Sequence, residues 1–327
     1  MAAIAADAPL PAGVRSTGGH AKLVQRLVTR TLGGAQLWAD ELVFHDWRIQ
    51  RSSLSGIYRL LDGRECRHAR GSFDHCRRRL EAIKREQRLP PMRSHVVVVL
   101  HGLLGWRQHM APLSRYLAHH GQREVISVGY PSARGDLHEH ARSLALVIEH
   151  LEREGVERLS FVAHSMGNQV LRRFLAEYQT DGASATGKPR IDRVVMIGPP
   201  NHGSDVARLW HGGPAAGLAR LVAGRSAVQL GPEWHLVKEH LATPRCDFGI
   251  IAGGLNDGHG FSSLIDGDDD GLVEVSSTRL AGANDFVLLP VWHPLMMAHP
   301  RVQQCTLRFL DHGHFISAEC RSPIAAE

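Results

Sequence analysis

Four consecutive valines in the segment His95–Leu100 constrain the fold of this chain more than any other feature of its sequence. An unbroken apolar run of this length is typical of a strand in a parallel sheet that is covered on both faces. After this run, short apolar segments alternate with longer amphipathic ones, as expected for alternating strands and helices. The sequence therefore predicts an α/β fold with a mostly parallel central sheet and helices on both faces.

The predicted elements follow from this alternation. Five further strands are expected, at Glu124–Tyr130, Leu159–Ala163, Ile191–Ile197, Asp247–Ala252 and Phe286–Val291. Three helices are expected between them, at Leu113–Ala118, Leu137–Glu154 and Met166–Tyr178.

The chain divides into four parts by composition. We expect a disordered N-terminus (1–20), an N-terminal helix and strand region (21–92), an α/β domain (93–315) with a lid at 205–244, and a C-terminal tail (316–327). In the second part we predict a helix at 21–40, strands at Leu42–Arg51 and Gly56–Leu61, and a charged helix at 72–88. The proline pair Pro90-Pro91 ends that last helix.

Composition excludes several classes of protein. Of the 327 residues 43% are hydrophobic, enough for a large core, and the net charge of +5 is spread along the chain. No basic run is interleaved with aromatic residues, so we expect no nucleic-acid partner, only solubility and weak attraction to anionic lipid surfaces. The five cysteines have no close spacing and fit a reducing compartment. With neither a signal peptide nor a membrane span predicted, we expect a cytoplasmic protein.

The segment Ala163-His164-Ser165-Met166-Gly167 is the strongest functional signal. It follows an apolar strand and begins a helix, and small residues at its two ends allow a sharp turn with an exposed serine. This is the context of a nucleophile elbow, with alanine in place of the usual first glycine. The alternative is a chance Ser-x-Gly at a strand–helix junction.

A second motif, His101-Gly102-Leu103-Leu104-Gly105, directly follows the four-valine strand. A turn at this position directs a backbone N–H into the site of acyl-transfer enzymes. The N–H groups of Leu103 and Met166 are therefore the candidate oxyanion donors. We expect His101 to stabilise the turn and not to act as the base.

The base and the acid should follow the serine in the order Asp, His. Asp270 lies in a loop after the strand Asp247–Ala252, and His293 lies just after the last predicted strand. In these positions His293 would take the proton of Ser165, and Asp270 would orient the imidazole ring.

Both assignments have alternatives. For the acid these are Asp257, Asp266, Asp268 and Asp269, and for the base His299, His312 and His314. The acidic run from Asp266 also matches the first half of a calcium-binding EF-hand loop. However, Ser277 stands at the twelfth position, where a glutamate is needed. We expect no metal and no cofactor.

Taken together, these motifs, with Gly198–Ser204 and Asp270-Gly271-Leu272-Val273, resemble bacterial lipases and esterases of the α/β-hydrolase superfamily. The sequence is also similar to the hydrolase domain of GPI-inositol deacylases. The resemblance covers roughly residues 95–310. It implies an α/β-hydrolase fold with a cap insertion, a triad of Ser165, Asp270 and His293, and Leu103 and Met166 as oxyanion donors.

Three functions are compatible with this pattern. The first is hydrolysis of carboxylic esters of small molecules or lipids, within lipid metabolism, through an acyl-enzyme. The second is a thioesterase, amidase or acyltransferase on the same scaffold. The third is a non-catalytic binding module, which the complete set of competent residues disfavours. The segment 205–244 is either a mobile lid over an acyl pocket or a packed helical insertion.

Overall fold

A computed structural model describes residues 29–30, 35–180, 188–204 and 224–326 of the chain. Within these residues a six-stranded parallel sheet follows a five-stranded antiparallel one. The predicted disordered segment 1–20 and the first half of the predicted lid, 205–223, lie outside the described residues.

The antiparallel sheet contains the N-terminal strands β1 to β5 in the order β1-β5-β4-β3-β2. Their bounds are Thr29–Arg30, Trp38–Phe44, Trp47–Ser52, Tyr58–Leu61 and Cys66–Gly71. Helix α1 (Phe73–Glu86) follows, and the Ser72 hydroxyl caps it by accepting the N–H of His75.

The parallel sheet has the order β11-β10-β9-β8-β6-β7. Its strands β6 to β11 are His95–Leu100, Glu124–Val128, Arg158–His164, Arg190–Ile197, Asp247–Gly253 and Asp285–Leu289. The helices are α2 (Ala111–Gly121), α3 (Leu137–Arg153), α4 (Gly167–Tyr178), α5 (Trp234–Val237), α6 (Val275–Thr278) and α7 (Pro300–His312). Short 3₁₀ helices span Ala35–Leu37, Arg107–Met110, Lys238–His240 and His293–Ala298.

The four valines of β6 divide between two hydrophobic clusters, one on each face of the parallel sheet. Val96 and Val98 join the cluster that contains the buried faces of α3 and α4. Val97 and Val99 join the cluster formed with α2 and α7. All four are fully buried. The prediction of a parallel sheet covered on both faces is therefore confirmed, and with it the α/β class.

The N-terminal region differs from its prediction in two places. The helix expected at 21–40 is wrong at Thr29–Arg30, which form strand β1, and at residues 38–40, which begin strand β2; residues 21–28 and 31–34 lie outside the described residues. The single strand expected at Leu42–Arg51 is a hairpin that turns at His45, whose φ is +49°. In both places antiparallel strand pairing, of β1 with β5 and of β2 with β3, overrides the local sequence preference.

The antiparallel sheet joins the parallel sheet through a buried carboxylate. Asp40 accepts hydrogen bonds from Arg48 Nη1 at 2.9 Å, Gln50 Nε2 at 2.7 Å and the N–H of Gly129 at 2.7 Å. The N–H of Asp40 in turn donates to the Gly129 carbonyl at 2.8 Å. Because Gly129 directly follows β7, this pair of bonds connects the edge of one sheet to the end of the other.

We expect the Asp40→Ala substitution to lower the free energy of unfolding by about 3–5 kcal/mol, because Arg48 would remain buried without its counter-charge. Asp74→Ala is the matched control: Asp74 is exposed, its nearest Arg77 nitrogen is 3.8 Å away, and the expected loss is below about 1 kcal/mol. Urea unfolding followed by circular dichroism measures both. Equal losses in the two variants would show that the Asp40 contacts do not hold the sheets together.

Candidate active site

Ser165 lies in a sharp turn between β8 and α4, with its backbone in the left-handed region at φ +55°. A residue other than glycine in this region is strained, and such strain is held only where the surroundings enforce it. Here the N–H of Ser165 donates to the Ile197 carbonyl at 2.9 Å, and the Ser165 carbonyl accepts from the backbone and side-chain nitrogens of Asn168. The turn is thus fixed to the neighbouring strand β9 on one side and to α4 on the other.

Two glycines allow the backbone to pack directly against this turn. A Cβ atom on Gly167 would lie 2.8 Å from the His101 carbonyl oxygen, and one on Gly102 would lie 2.7 Å from the Cβ atom of Ser165. Neither distance is compatible with a side chain unless the backbone moves. The loop after β6 therefore lies in van der Waals contact with the serine turn.

Met166 directly follows Ser165 in sequence, and Leu103 lines the same cavity as Ser165. Neither of their backbone N–H groups donates a hydrogen bond to any residue that the structure describes. Both N–H groups are therefore without an acceptor among the described residues. The structure thus brings together the three groups that the sequence predicted for this part of the site.

His101 supports this loop from behind. Burial lowers its pKa to about 4, so the ring is neutral at pH 7. Nε2 accepts the N–H of Tyr130 at 3.3 Å, which leaves Nδ1 protonated to donate to the Gly102 carbonyl at 2.9 Å. The Tyr130 ring stacks on His101 with centroids 4.1 Å apart, and its hydroxyl donates to the His101 carbonyl. His101 is therefore a turn stabiliser in this structure.

Asp270 and His293 form a buried pair on the loops after β10 and β11. His293 Nδ1 lies 2.6 Å from Asp270 Oδ2, and the His293 N–H donates to the Asp270 carbonyl at 2.8 Å. The other carboxylate oxygen, Oδ1, accepts the N–H groups of Leu272 and Val273 at 3.1 and 2.8 Å. Asp270 is fully buried and His293 nearly so. With Nδ1 bound to the carboxylate, Nε2 of His293 is the nitrogen left to exchange a proton.

The alternative acids occupy other positions. The carboxylates of Asp268 and Asp269 accept backbone N–H groups within their own loop, and Asp257 does the same in an exposed turn. Asp266 is exposed. Among the described residues, no group of three or more His, Cys, Asp or Glu side chains is arranged to hold a metal ion.

The alternative bases lie along α7. His299 precedes its first turn, and His312 and His314 lie at its end with their rings stacked 5.6 Å apart. The imidazole that contacts Asp270 in the described residues is that of His293.

His164 is a site residue that the sequence analysis did not single out beyond its place in the motif. Its ring centroid lies 4.6 Å from that of His293. Desolvation lowers its pKa well below the usual value, and the adjacent His293 lowers it further. A neutral ring in this place packs against the His293 loop without competing for its proton. In the sequence, the only indication of a role for His164 was its position directly before Ser165.

Ser165 and His293 open onto one cavity of about 370 Å³. Its described walls are mostly apolar and come from six segments: the β6 loop, the serine turn, the segment after β9, helical residues 224–230, and the loops that carry Asp270 and His293. Ala227 and Leu230 contribute from the second half of the predicted lid. A larger cavity of about 550 Å³ beside α3 is lined by charged side chains and contains neither Ser165 nor His293.

Comparison with known proteins gives a family match and structural neighbours. Residues 90–196, about a third of the chain, match the sequence model of a family described as "Putative serine esterase (DUF676)". Phospholipase PlaB from Legionella pneumophila aligns with 67% of this chain and 60% of its own at 17% identity and a TM-score of 0.50. The propeptide form of lipase BlEst2 from Bacillus licheniformis aligns with 72% of this chain and 54% of its own at 18% identity and a TM-score of 0.51.

The fold is that of the α/β hydrolases. The family match, which includes the β6 loop and the serine turn, further supports a serine hydrolase. The aligned region spans less than two thirds of either structural neighbour. Comparison with curated proteins finds none of similar sequence. No helix in the described part of the chain is both long and apolar enough to cross a lipid bilayer.

The buried histidines behind the β6 loop predict a pH dependence of stability. His140, on the other side of Tyr130 from His101, also has its pKa lowered to about 4 by burial. A histidine in the unfolded chain titrates near 6.5. Between pH 6.5 and 4 the unfolded state therefore binds more protons than the folded state, and stability falls as the pH falls.

We expect His140→Gln to reduce that slope by about 1.4 kcal/mol per pH unit, the contribution of one proton. The exposed residue His119 provides the control substitution, His119→Gln, which should leave the slope unchanged. Urea unfolding at half-unit intervals from pH 7 to pH 4.5 gives the slopes. A wild-type slope in His140→Gln would mean that His140 is not kept neutral by the fold.

Proposed function

We propose that this chain is a serine hydrolase that cleaves carboxylic esters, in the manner of lipases and esterases, through an acyl-enzyme on Ser165. The observation that carries the proposal is the convergence of a strained serine and a buried Asp270–His293 pair on one apolar cavity. Each group has the environment that its role requires.

The first half of the reaction acylates the serine. His293 Nε2 accepts the proton of Ser165 Oγ as Oγ bonds to the ester carbonyl carbon. The carbonyl oxygen becomes an oxyanion and accepts the N–H groups of Leu103 and Met166. When the tetrahedral intermediate collapses, the bond to the alkoxy oxygen breaks and His293 returns the proton to the departing alcohol.

The second half repeats these steps with water. His293 removes a proton from a water molecule, which attacks the acyl carbon, and the proton then returns to Ser165 Oγ as the acid leaves. In both halves Asp270 orients the imidazole ring and stabilises the imidazolium. The backbone N–H groups of Leu272 and Val273 donate to its Oδ1 and hold the carboxylate in place.

The cavity supports an ester with an apolar acyl or alcohol part. Leu103, Leu230, Leu272, Val273 and Met297 line it, and no described residue on its walls is an acid, a lysine or an arginine. A charged substrate would have no described partner there, whereas a hydrocarbon chain would bury apolar surface at about 25 cal/mol per Å². Small-molecule or lipid esters are therefore the proposed substrates.

We expect a fluorophosphonate probe to label Ser165 and 4-nitrophenyl esters to be hydrolysed, with both signals absent in Ser165→Ala because the variant lacks the nucleophilic hydroxyl. Ser143→Ala, in α3 and outside the cavity that contains Ser165, is the control and should behave as the wild type. Peptide mass spectrometry locates the adduct. Hydrolysis that persists at the wild-type rate in Ser165→Ala would refute the proposal, and turnover of thioesters alone would redirect it to the thioesterase alternative.

We expect Asp270→Asn to lower kcat by about 10⁴-fold, because an amide at this position favours the wrong tautomer of the base and cannot stabilise the imidazolium. The exposed Asp266, four residues earlier, provides the matched substitution Asp266→Asn, for which kcat should be unchanged. Steady-state kinetics on one ester measure both. A comparable loss in the two variants would exclude a specific role for Asp270.

A further inference from the structure

We propose that the N-terminal antiparallel sheet region positions the oxyanion donor of Leu103, with Gln36 as the positioning residue. The inference rests on the proposed function and adds to it a role for the region before β6. It is carried by contacts between this region and the loop that contains Leu103.

The side-chain amide of Gln36 connects two loops at the active-site edge. Its Nε2 donates to the Gly105 carbonyl at 2.8 Å, and its Oε1 accepts the N–H of Ala133 at 2.7 Å. Gly105 ends the turn that contains Leu103, and Ala133 lies in the loop after β7. The Ser132 hydroxyl, which is buried, lies 3.1 Å from Gln36 Nε2. One side chain thus connects the end of the turn that contains Leu103 to the loop after β7.

A second contact from the same sheet region reaches the residues just after the turn. The carboxylate of Glu65, in the turn between β4 and β5, pairs with Arg107 and accepts from Gln108 Nε2 at 3.3 Å. Glu65 is held at φ +60° in that turn. The segment 105–108 therefore has two attachments to the N-terminal region, at Gln36 and at Glu65.

These attachments matter because of how the rest of the turn is held. Its start is fixed by β6 and by His101, whose carbonyl accepts the Tyr130 hydroxyl. Inside the turn, Gly105 N–H donates to the Gly102 carbonyl at 3.1 Å, and the exposed Leu104 has φ +55°. A turn with a strained residue at its tip keeps its geometry only if both ends are held. An oxyanion donor contributes only when it is already oriented before the reaction.

The amide group of Gln36 is specifically required by this geometry. A hydrogen-bond donor must face the Gly105 carbonyl while an acceptor faces the Ala133 N–H. Leucine has a similar size and offers neither. Glutamate keeps the acceptor but places a carboxylate oxygen against a carbonyl oxygen. Protonation of that carboxylate would restore the donor, so the two variants should respond differently to pH.

The experiment measures ester hydrolysis by Gln36→Leu, Gln36→Glu, Ser165→Ala and the control Gln87→Leu, whose exposed glutamine ends α1. The amount of fluorophosphonate bound per protein molecule gives the number of reactive active sites, and kcat is expressed per such site. We expect kcat to fall about ten- to a hundredfold in both Gln36 variants with KM within about threefold, since small misplacements of catalytic groups cost up to about 10²-fold. Gln87→Leu should match the wild type.

The pH profile separates positioning from general damage. At each pH from 8 to 5, the kcat of each variant is divided by that of the wild type. This ratio should rise for Gln36→Glu as the pH falls, whereas for Gln36→Leu it should stay constant. A wild-type kcat per site in Gln36→Leu, or a loss only in the number of competent sites, would overturn the inference. Undiminished turnover in Ser165→Ala would instead refute the proposed function itself.

Discussion

The active-site edge of this protein depends on direct backbone contact between the loop after β6 and the serine turn after β8. Gly102 and Gly167 provide that contact, since a methyl group on either would lie within 3 Å of its neighbour. Parallel strands place these two loops side by side at their carboxyl ends. This contact holds both loops in conformations that isolated turns would not keep. Ser165 is strained as a result, and within the described residues the N–H groups of Leu103 and Met166 have no acceptor.

The N-terminal sheet belongs to the same physical unit as the site. Leu42, Phe44 and Ile49 lie in one hydrophobic cluster with α3, α4 and one face of the parallel sheet. Asp40 bonds to the residue that follows β7, and Tyr130 one position later supports His101. Removing the first 90 residues would therefore expose part of the core and remove contacts to the loop after β6.

Much of this was predictable, for reasons that differ between residues. The fold class followed from the valines of β6, and Ser165 from small residues around a strand–helix junction, because both signals are local. Asp270 and His293 followed from chain order, which the sheet topology imposes. Gln36 could not be predicted, since its role exists only when loops about 70 and 97 residues away lie beside it. The helix predicted at 21–40 failed at β2 because strand pairing outweighed local preference.

In the proposed mechanism, the choice of His293 as the base among 22 histidines has an electrostatic reason. His164 and His293 line the cavity that contains Ser165, and His101 lies in the loop that packs against the serine turn. His101 and His164 have lowered pKa values, and in the described residues neither contacts a carboxylate. His293 is equally buried, but Asp270 lies 2.6 Å from its Nδ1. An imidazolium can form in this apolar pocket only where a counter-charge is already buried. In the proposed mechanism, the position of Asp270 therefore makes His293 the histidine that carries the proton.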